Sequence, residues 1–303
     1  MAVLVTGATG FIGRNLVERL VADGQDVVAL ARNRNSMQGL INPLIKWIFQ
    51  DFTEDAVPLE ALVGVTSVVH LAGETLGAGE DEMTFLGANE QTTIKIAKSL
   101  TSTVDRFIYA STQGVYGDAK SLAVTEDFPL SPTGSAYACS KLNSENWLRW
   151  FQKRNGGCYI SLRFCGFIEG GGIIDYILDQ ALSDKSIDLY ANGTVVRDYL
   201  PISAGIDAII AALNYSGDQG YLPINIGSGQ AISALEIANI ICAELKTASQ
   251  IHLLDKPSPQ GDFVFCIDRA KSLLAFTPGN LEDSIRNYSS SQRQRNKPGD
   301  IHA

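Results

Sequence analysis

The chain has 303 residues, 45% of them hydrophobic, and a formal net charge of −9, so it can bury the core of one large domain or two closely joined lobes. No apolar run approaches the ~20 residues of a membrane span. No basic leader or basic–aromatic cluster stands out, which argues against membrane and nucleic acid as partners and for a cytoplasmic home.

Residues 2–6 read as a strand, and Gly7-Ala8-Thr9-Gly10-Phe11-Ile12-Gly13 reads as a glycine turn opening a helix over 11–23. Gly7 permits a sharp turn, Gly10 close approach to a pyrophosphate, and Gly13 close helix–strand packing, while the helix N-terminus offers free N–H groups to an anion. Thr9, Phe11 and Ile12 share that loop and are expected at the dinucleotide. Three glycines alone are a weak signal; strand–loop–helix order makes this a dinucleotide motif. A second strand over 26–31 ends at Arg32. A carboxylate at that point would hold a ribose 2′-hydroxyl. Arg32 and Arg34 stand there instead and point to NADP in preference to NAD. Strands over 45–49 and 66–71 follow. Asp51 and Phe52, after the first, are placed toward the adenine. Leu71-Ala72-Gly73, at the end of the second, are small enough to admit a cofactor.

A helix over 83–101 and a strand over 104–110 lead into a loop over 112–135, punctuated by Gly114, Gly117, Pro129, Pro132 and Gly134. A loop that long is usually functional. Thr112 opens it, and the helix over 136–155 that follows begins with Tyr137 and Lys141, four apart on one face. Reducing a carbonyl needs a proton donor beside the oxygen. A lysine one turn from a tyrosine, with a positive nicotinamide, favours the phenolate and is expected to lower its pKa from about 10. A second Tyr-x-x-x-Lys match, Tyr116 to Lys120, crosses the Gly117-Asp118 turn and is not expected to share a helical face.

A strand over 158–163 completes a βαβ rhythm, which predicts an α/β fold: a Rossmann, doubly wound parallel sheet over 1–163. Shorter, mixed elements over 164–285, including a helix over 173–182, predict a smaller C-terminal substrate-binding lobe, with about 190–230 returning to the first domain. Residues 286–303, polar and containing Ser289-Ser290-Ser291, are expected to form a mobile tail. Five scattered cysteines without a Cys-x-x-Cys pair and three isolated histidines predict free thiols and no metal site.

Together these motifs resemble the extended short-chain dehydrogenase/reductases and, within them, the NAD-dependent epimerase/dehydratase family acting on nucleotide sugars. The glycine motif, His70-Leu71-Ala72-Gly73, Tyr109 through Gly117, Tyr137-x-x-x-Lys141, Arg197-Asp198-Tyr199 and Asn225 through Gly229 carry the likeness over nearly the whole chain. It implies a catalytic set of Thr112, Tyr137 and Lys141, with Thr112 on the reacting oxygen and Lys141 also on the nicotinamide ribose. Ala110 falls among the implied cofactor contacts. Gln113 and Arg197 fall at the substrate, Arg197 on its diphosphate.

Departures narrow the implication. Gln113 and Gly114 replace the Asp-Glu pair of dehydratases, which argues against dehydration. Gly166 replaces an Asn that touches the nucleotide, and Gln260 replaces an Arg before Gly261-Asp262. The leading expectation is a keto-sugar nucleotide reductase, because Arg32 favours an exchanged NADPH. The alternatives are an epimerase that keeps its cofactor bound and a non-catalytic NADP-binding regulator. Ile94, Trp147 and Trp150 read as exposed on two helices that the family often pairs in a homodimer, and ordinary core packing explains the same residues equally.

Overall fold

The chain in order forms β1 (Ala2–Thr6), α1 (Phe11–Ala22), β2 (Asp26–Ala31), β3 (Ile45–Phe49), β4 (Val65–His70), α2 (Glu82–Phe85) and α3 (Thr92–Ser99). Then come β5 (Arg106–Thr112), β6 (Ser121–Val124), α4 (Ala136–Asn155), β7 (Cys158–Phe164), β8 (Gly166–Phe167), α5 (Ile173–Leu182) and β9 (Ile187–Leu189). Next are β10 (Val196–Arg197), β11 (Tyr199–Leu200), α6 (Ile202–Leu213), β12 (Gly220–Ile226), β13 (Ile232–Ser233) and α7 (Ala234–Leu245). The chain ends with β14 (Ile251–Leu253), β15 (Phe263–Phe265), α8 (Asp268–Leu274) and α9 (Leu281–Arg295). This is a computed structural model, and it describes residues 2–37, 39–51, 58, 62–75, 81–100 and 104–295.

Seven strands make one parallel sheet in the order β12-β7-β5-β4-β1-β2-β3. Its central strands read as continuous apolar runs because helices cover both faces, as a parallel sheet requires; every residue of β7 is buried. One face packs Leu16, Val17 and Leu20 of α1 with Ala204, Ala208 and Ile209 of α6. The other packs Ile96 of α3 with Leu148 and Phe151 of α4. A separate apolar cluster joins α5, α7 and α9 through residues such as Ile177, Ile237 and Ile285. The doubly wound sheet expected from the βαβ rhythm is the sheet observed.

Three segments differ from the expectations. The helix over 83–101 is interrupted by a π-helical turn, Leu86–Gln91, between α2 and α3. The loop over 112–135 contains a 3₁₀ turn, Gln113–Tyr116, and β6, which pairs with β15 in a four-stranded sheet, β13-β10-β15-β6. The supposed tail is helical to Arg295, since α9 buries Leu281, Ile285 and Ser289 at four-residue spacing. Arg293 also donates to Leu245 O at 3.0 Å. A mostly polar helix with one narrow inward stripe is easily taken for a tail. Residues 296–303 lie outside the described residues.

Candidate active site

β1 and β4 are neighbours, and the chain leaves them toward opposite edges of the sheet. Beyond their carboxyl ends such a sheet opens a crevice. The glycine loop floors it. Gly7 has φ +64°, and a Cβ there would sit 2.7 Å from Ala72 N. A Cβ on Gly13 would sit 2.0 Å from Gly7 O. Gly10 caps α1 without any side-chain hydrogen bond, so the first N–H groups of the helix remain available to an anion.

Thr6 and His70 brace the crevice from below. Thr6 Oγ1 accepts from Leu71 N at 3.2 Å and from Ala72 N at 3.1 Å, and lies 2.7 Å from His70 Nδ1. Having accepted twice, the hydroxyl spends its proton on Nδ1, so His70 carries its hydrogen on Nε2 and donates to Thr93 Oγ1 at 2.9 Å. Thr93 in turn donates to Asn89 O at 2.6 Å. Burial, aided by the nearby Lys141 charge, lowers His70 to about 3, which keeps the ring neutral.

A cavity of about 710 Å³ runs from Gly7, Gly10, Phe11 and Ile12 to Ala110, Thr112, Tyr137 and Lys141. A smaller one of about 190 Å³ at the end of β2 is lined by Thr9, Arg32, Asp51, Ala72 and Glu74. Leu71 and Gly73 line both. Phe52 lies outside the described residues. Arg32 reaches across to Glu74, with Nη2 3.2 Å from Oε1. Nothing in the sequence marks that pair, since the two residues sit at the ends of different strands.

Ser135 caps α4 by accepting from Ala138 N at 3.3 Å, which sets Tyr137 in its first turn. Thr112 and Tyr137 line the same cavity, and Thr112 Oγ1 accepts from Gly114 N at 3.1 Å. Lys141 Nζ donates to Ala110 O at 3.0 Å and lies 5.8 Å from the centre of the Tyr137 ring. Burial pushes the Tyr137 hydroxyl up to about 12, with neighbouring Thr112 offsetting part of the rise. Burial also lowers Lys141 to about 8. The expected lowering of Tyr137 by Lys141 does not appear: burial raises the hydroxyl, and the ammonium is directed at the Ala110 carbonyl.

Sequence reasoning missed Asn89. The π-helical turn brings its buried side chain to Glu74 N, which donates to Oδ1 at 2.8 Å, and its Nδ2 to Ser140 Oγ at 2.8 Å. A Cβ on Gly73 would meet Asn89 Oδ1 at 2.4 Å. Only Gly87, within a helical stretch, hints at the interruption.

Tyr116 also lines a cavity that Thr112 and Tyr137 line, but its hydroxyl is engaged in the interior. Its hydroxyl donates to Asn225 Oδ1 at 2.6 Å and accepts from Arg163 Nη1 at 2.8 Å. Arg163 makes a two-pronged, fully buried ion pair with Glu145 of α4, at 3.0 and 2.7 Å. Lys120 is exposed and pairs with Asp118 at 3.1 Å. Tyr116 and Lys120 therefore share no site.

Beyond Tyr137, cavities of about 780 and 640 Å³ share Gln113, Arg197 and Gln260. Arg197 Nη1 donates to Gly261 O at 2.9 Å, and its guanidinium lies 5.3 Å over the Phe263 ring. Asp198, next in the chain, is buried and accepts from Ser228 N, Ser228 Oγ, Gly229 N and Phe265 N at 2.6–3.2 Å. Gln113 Oε1 is buried without a hydrogen-bond partner among the described residues. At Gly166, the space beside the backbone is taken by the Tyr199 ring, 3.1 Å from where a Cβ would lie.

Comparison with known proteins gives a consistent kinship. The chain is 30% identical to a UDP-glucose 4-epimerase of Neisseria meningitidis serogroup A over 86% of each protein. It is 27% identical to a putative UDP-glucose 4-epimerase of Methanocaldococcus jannaschii, covering 84% of this chain and 86% of that one. Among solved structures, UDP-glucuronic acid 4-epimerase from Bacillus cereus in complex with NAD superposes with a TM-score of 0.82 at 26% identity, covering 96% of this chain and 99% of that one. The model of the NAD dependent epimerase/dehydratase family matches residues 3–227. With the glycine loop, the crevice and the Tyr137 helix all inside that span, the chain belongs to the NAD dependent epimerase/dehydratase family.

Proposed function

We propose that the protein moves hydride between a nicotinamide dinucleotide and an oxygen-bearing carbon of a nucleotide sugar, with Tyr137 as acid and base. One observation carries this reading. Tyr137 and Thr112 line both the cavity that begins at the glycine loop and the cavity that holds Arg197.

The uncapped N-terminus of α1, with Gly7, Thr9, Gly10, Phe11 and Ile12 around it, suits a pyrophosphate. Asp51, Leu71, Ala72 and Gly73 would face the adenosine half, and Ala110, Tyr137 and Lys141 the nicotinamide half. When bound, the cofactor would supply the hydride acceptor or donor, its ring positively charged in the accepting form. Tyr137, held protonated by burial and oriented by Thr112, gives its proton to the sugar oxygen or takes it back. Thr112 fixes that oxygen. Lys141, charged at neutral pH, holds the ribose and eases formation of the phenolate. The planar donor fork of Arg197 matches a diphosphate. The unpartnered Gln113 Oε1 would accept from a sugar hydroxyl. With Gln113 and Gly114 after Thr112, the chain has no acid–base pair there for dehydration.

Two overall reactions share this chemistry. Arg32 supports the reductase, in which NADPH is consumed once per keto-sugar. The ion pair of Arg32 with Glu74 favours the epimerase, in which cofactor is retained and hydride returns to the other face, because it occupies the arginine meant for a 2′-phosphate. The names of the relatives point the same way. We also read the exposed Trp147 and Trp150 of α4 as a face for a second copy.

The experiment is to denature purified protein and assay for released dinucleotide. In parallel, native protein is incubated with UDP-glucose, UDP-galactose or UDP-glucuronic acid without added cofactor. Interconversion with retained dinucleotide establishes the epimerase. Consumption of NADPH matched to a keto-sugar nucleotide establishes the reductase. Dinucleotide binding with no turnover of any sugar nucleotide overturns the catalytic reading in favour of a regulator.

A further inference from the structure

Among the described residues that line the crevice, Arg32 conflicts with an NAD site, and its surroundings change its meaning. The guanidinium is largely exposed, and its partner Glu74, at 3.2 Å, is less so, with side-chain exposures of 68% and 30%. Glu74 is also the better fixed of the two. Its N–H donates to Asn89 Oδ1 at 2.8 Å, and its carbonyl accepts from Asn89 Nδ2 at 3.3 Å. β4 and β2 flank β1, so the ion pair spans the strand from which the glycine loop departs. Both residues line the small cavity at the end of β2, together with Gly7, Gly10 and Asp51. Among the described residues its lining carries one guanidinium and two carboxylates, a formal charge of −1.

We infer that Glu74 sets the choice of cofactor: it supplies, from the end of β4, the carboxylate that the end of β2 lacks, and it withholds Arg32 from a 2′-phosphate. This rests on the dinucleotide site proposed above. A ribose 2′-hydroxyl in that cavity donates to the Glu74 carboxylate while the ion pair stays intact. A 2′-phosphate brings nearly two negative charges against Glu74 and Asp51, and must break the ion pair to gain Arg32. The cavity therefore selects NAD, although an arginine stands at the position usually read as selecting NADP.

The test is equilibrium titration of the full chain with NAD and with NADP, followed by calorimetry, for wild type, Glu74→Gln, Arg32→Ala and the double variant. Wild type is expected to prefer NAD. Glu74→Gln loses an ionised acceptor and frees Arg32, so NAD affinity falls by about tenfold or more and NADP affinity rises. Arg32→Ala in the wild-type background leaves NADP affinity nearly unchanged, because the arginine is already engaged. In the double variant the NADP gain disappears, which assigns that gain to Arg32. The inference is overturned if wild type prefers NADP, or if Glu74→Gln leaves the NAD-to-NADP ratio where it was. Failure of wild type to bind either dinucleotide would overturn the underlying site as well, a result distinct from an unchanged ratio.

Discussion

Tyr137→Phe and Tyr116→Phe each delete one oxygen from a Tyr-x-x-x-Lys match, and the structure assigns them opposite consequences. Tyr137 lines the crevice together with Thr112 and Lys141. Removing its hydroxyl should lower turnover by about 10²–10⁴-fold, the usual contribution of a positioned acid–base group, with little change in Tm. The Tyr116 hydroxyl sits in the interior between Asn225 Oδ1 and Arg163 Nη1. Its removal strands the Asn225 oxygen, while Arg163 keeps Glu145 and a longer contact to Glu126 O at 3.4 Å. One buried unpaired acceptor plus a weakened charged donor costs about 2–3 kcal/mol. At about 2.1 cal/mol/K of unfolding entropy per residue, a chain of 303 residues then loses roughly 3–5 °C in Tm. The assays are turnover of the accepted sugar nucleotide at saturating cofactor and a thermal melt of each variant. The reasoning is refuted if Tyr116→Phe abolishes turnover at unchanged Tm, or if Tyr137→Phe turns over near the wild-type rate.

Arg197→Ala should raise KM for the sugar nucleotide strongly and leave dinucleotide affinity intact; loss of cofactor binding alone would place the residue on the wrong ligand. His70 is held near 3 in the folded state against 6.5 in the unfolded chain. Between those values only the unfolded state binds the proton, so stability falls as pH drops below 6.5, by up to about 1.4 kcal/mol per pH unit. Urea midpoints at several acidic pH values should show a shallower slope for His70→Gln than for wild type; identical slopes would rule out His70 as the source. Trp150→Lys should shift sedimentation from dimer to monomer with the melt unchanged, whereas a wild-type monomer would dismiss the paired-helix face.

The parts of the fold written in local pattern were legible. Runs 2–6, 26–31 and 45–49 coincide with β1, β2 and β3, and 136–155 with α4, because short apolar runs alternate with longer helical stretches bounded by glycine and proline. Elements defined by distant partners were not. β6 has little apolar pattern of its own and exists because Phe263 and Phe265 pair with Ser121 and Val124. α9 needs α7 to cover its single stripe. At the site, Tyr137 and Lys141 stand in a recognisable spacing, whereas Thr112 was picked out by the family resemblance. The meaning of Arg32 depends on Glu74, 42 positions away in the chain and 3.2 Å away in space. Asn89 was hidden for another reason: a π-helical turn is a change of backbone register, and side-chain periodicity barely records it.

That turn has a consequence for what the helix can present. A π-helical turn accommodates about one residue more than an α-helical turn, and each residue of an α-helix advances the azimuth by about 100°. The stretches on either side of Leu86–Gln91 are thus phased independently. Upstream, Phe85 is turned to the Tyr137 ring, 5.9 Å away; downstream, Thr93 and Ile96 face the sheet. Deleting one residue here would restore regular winding and rotate one half by about a quarter turn. Either Phe85 would leave Tyr137, or Thr93 would leave His70, and Asn89 could no longer face both Glu74 and Ser140. The extra residue is a phase shifter: it lets one continuous rod aim one side at the chemistry and another at the core.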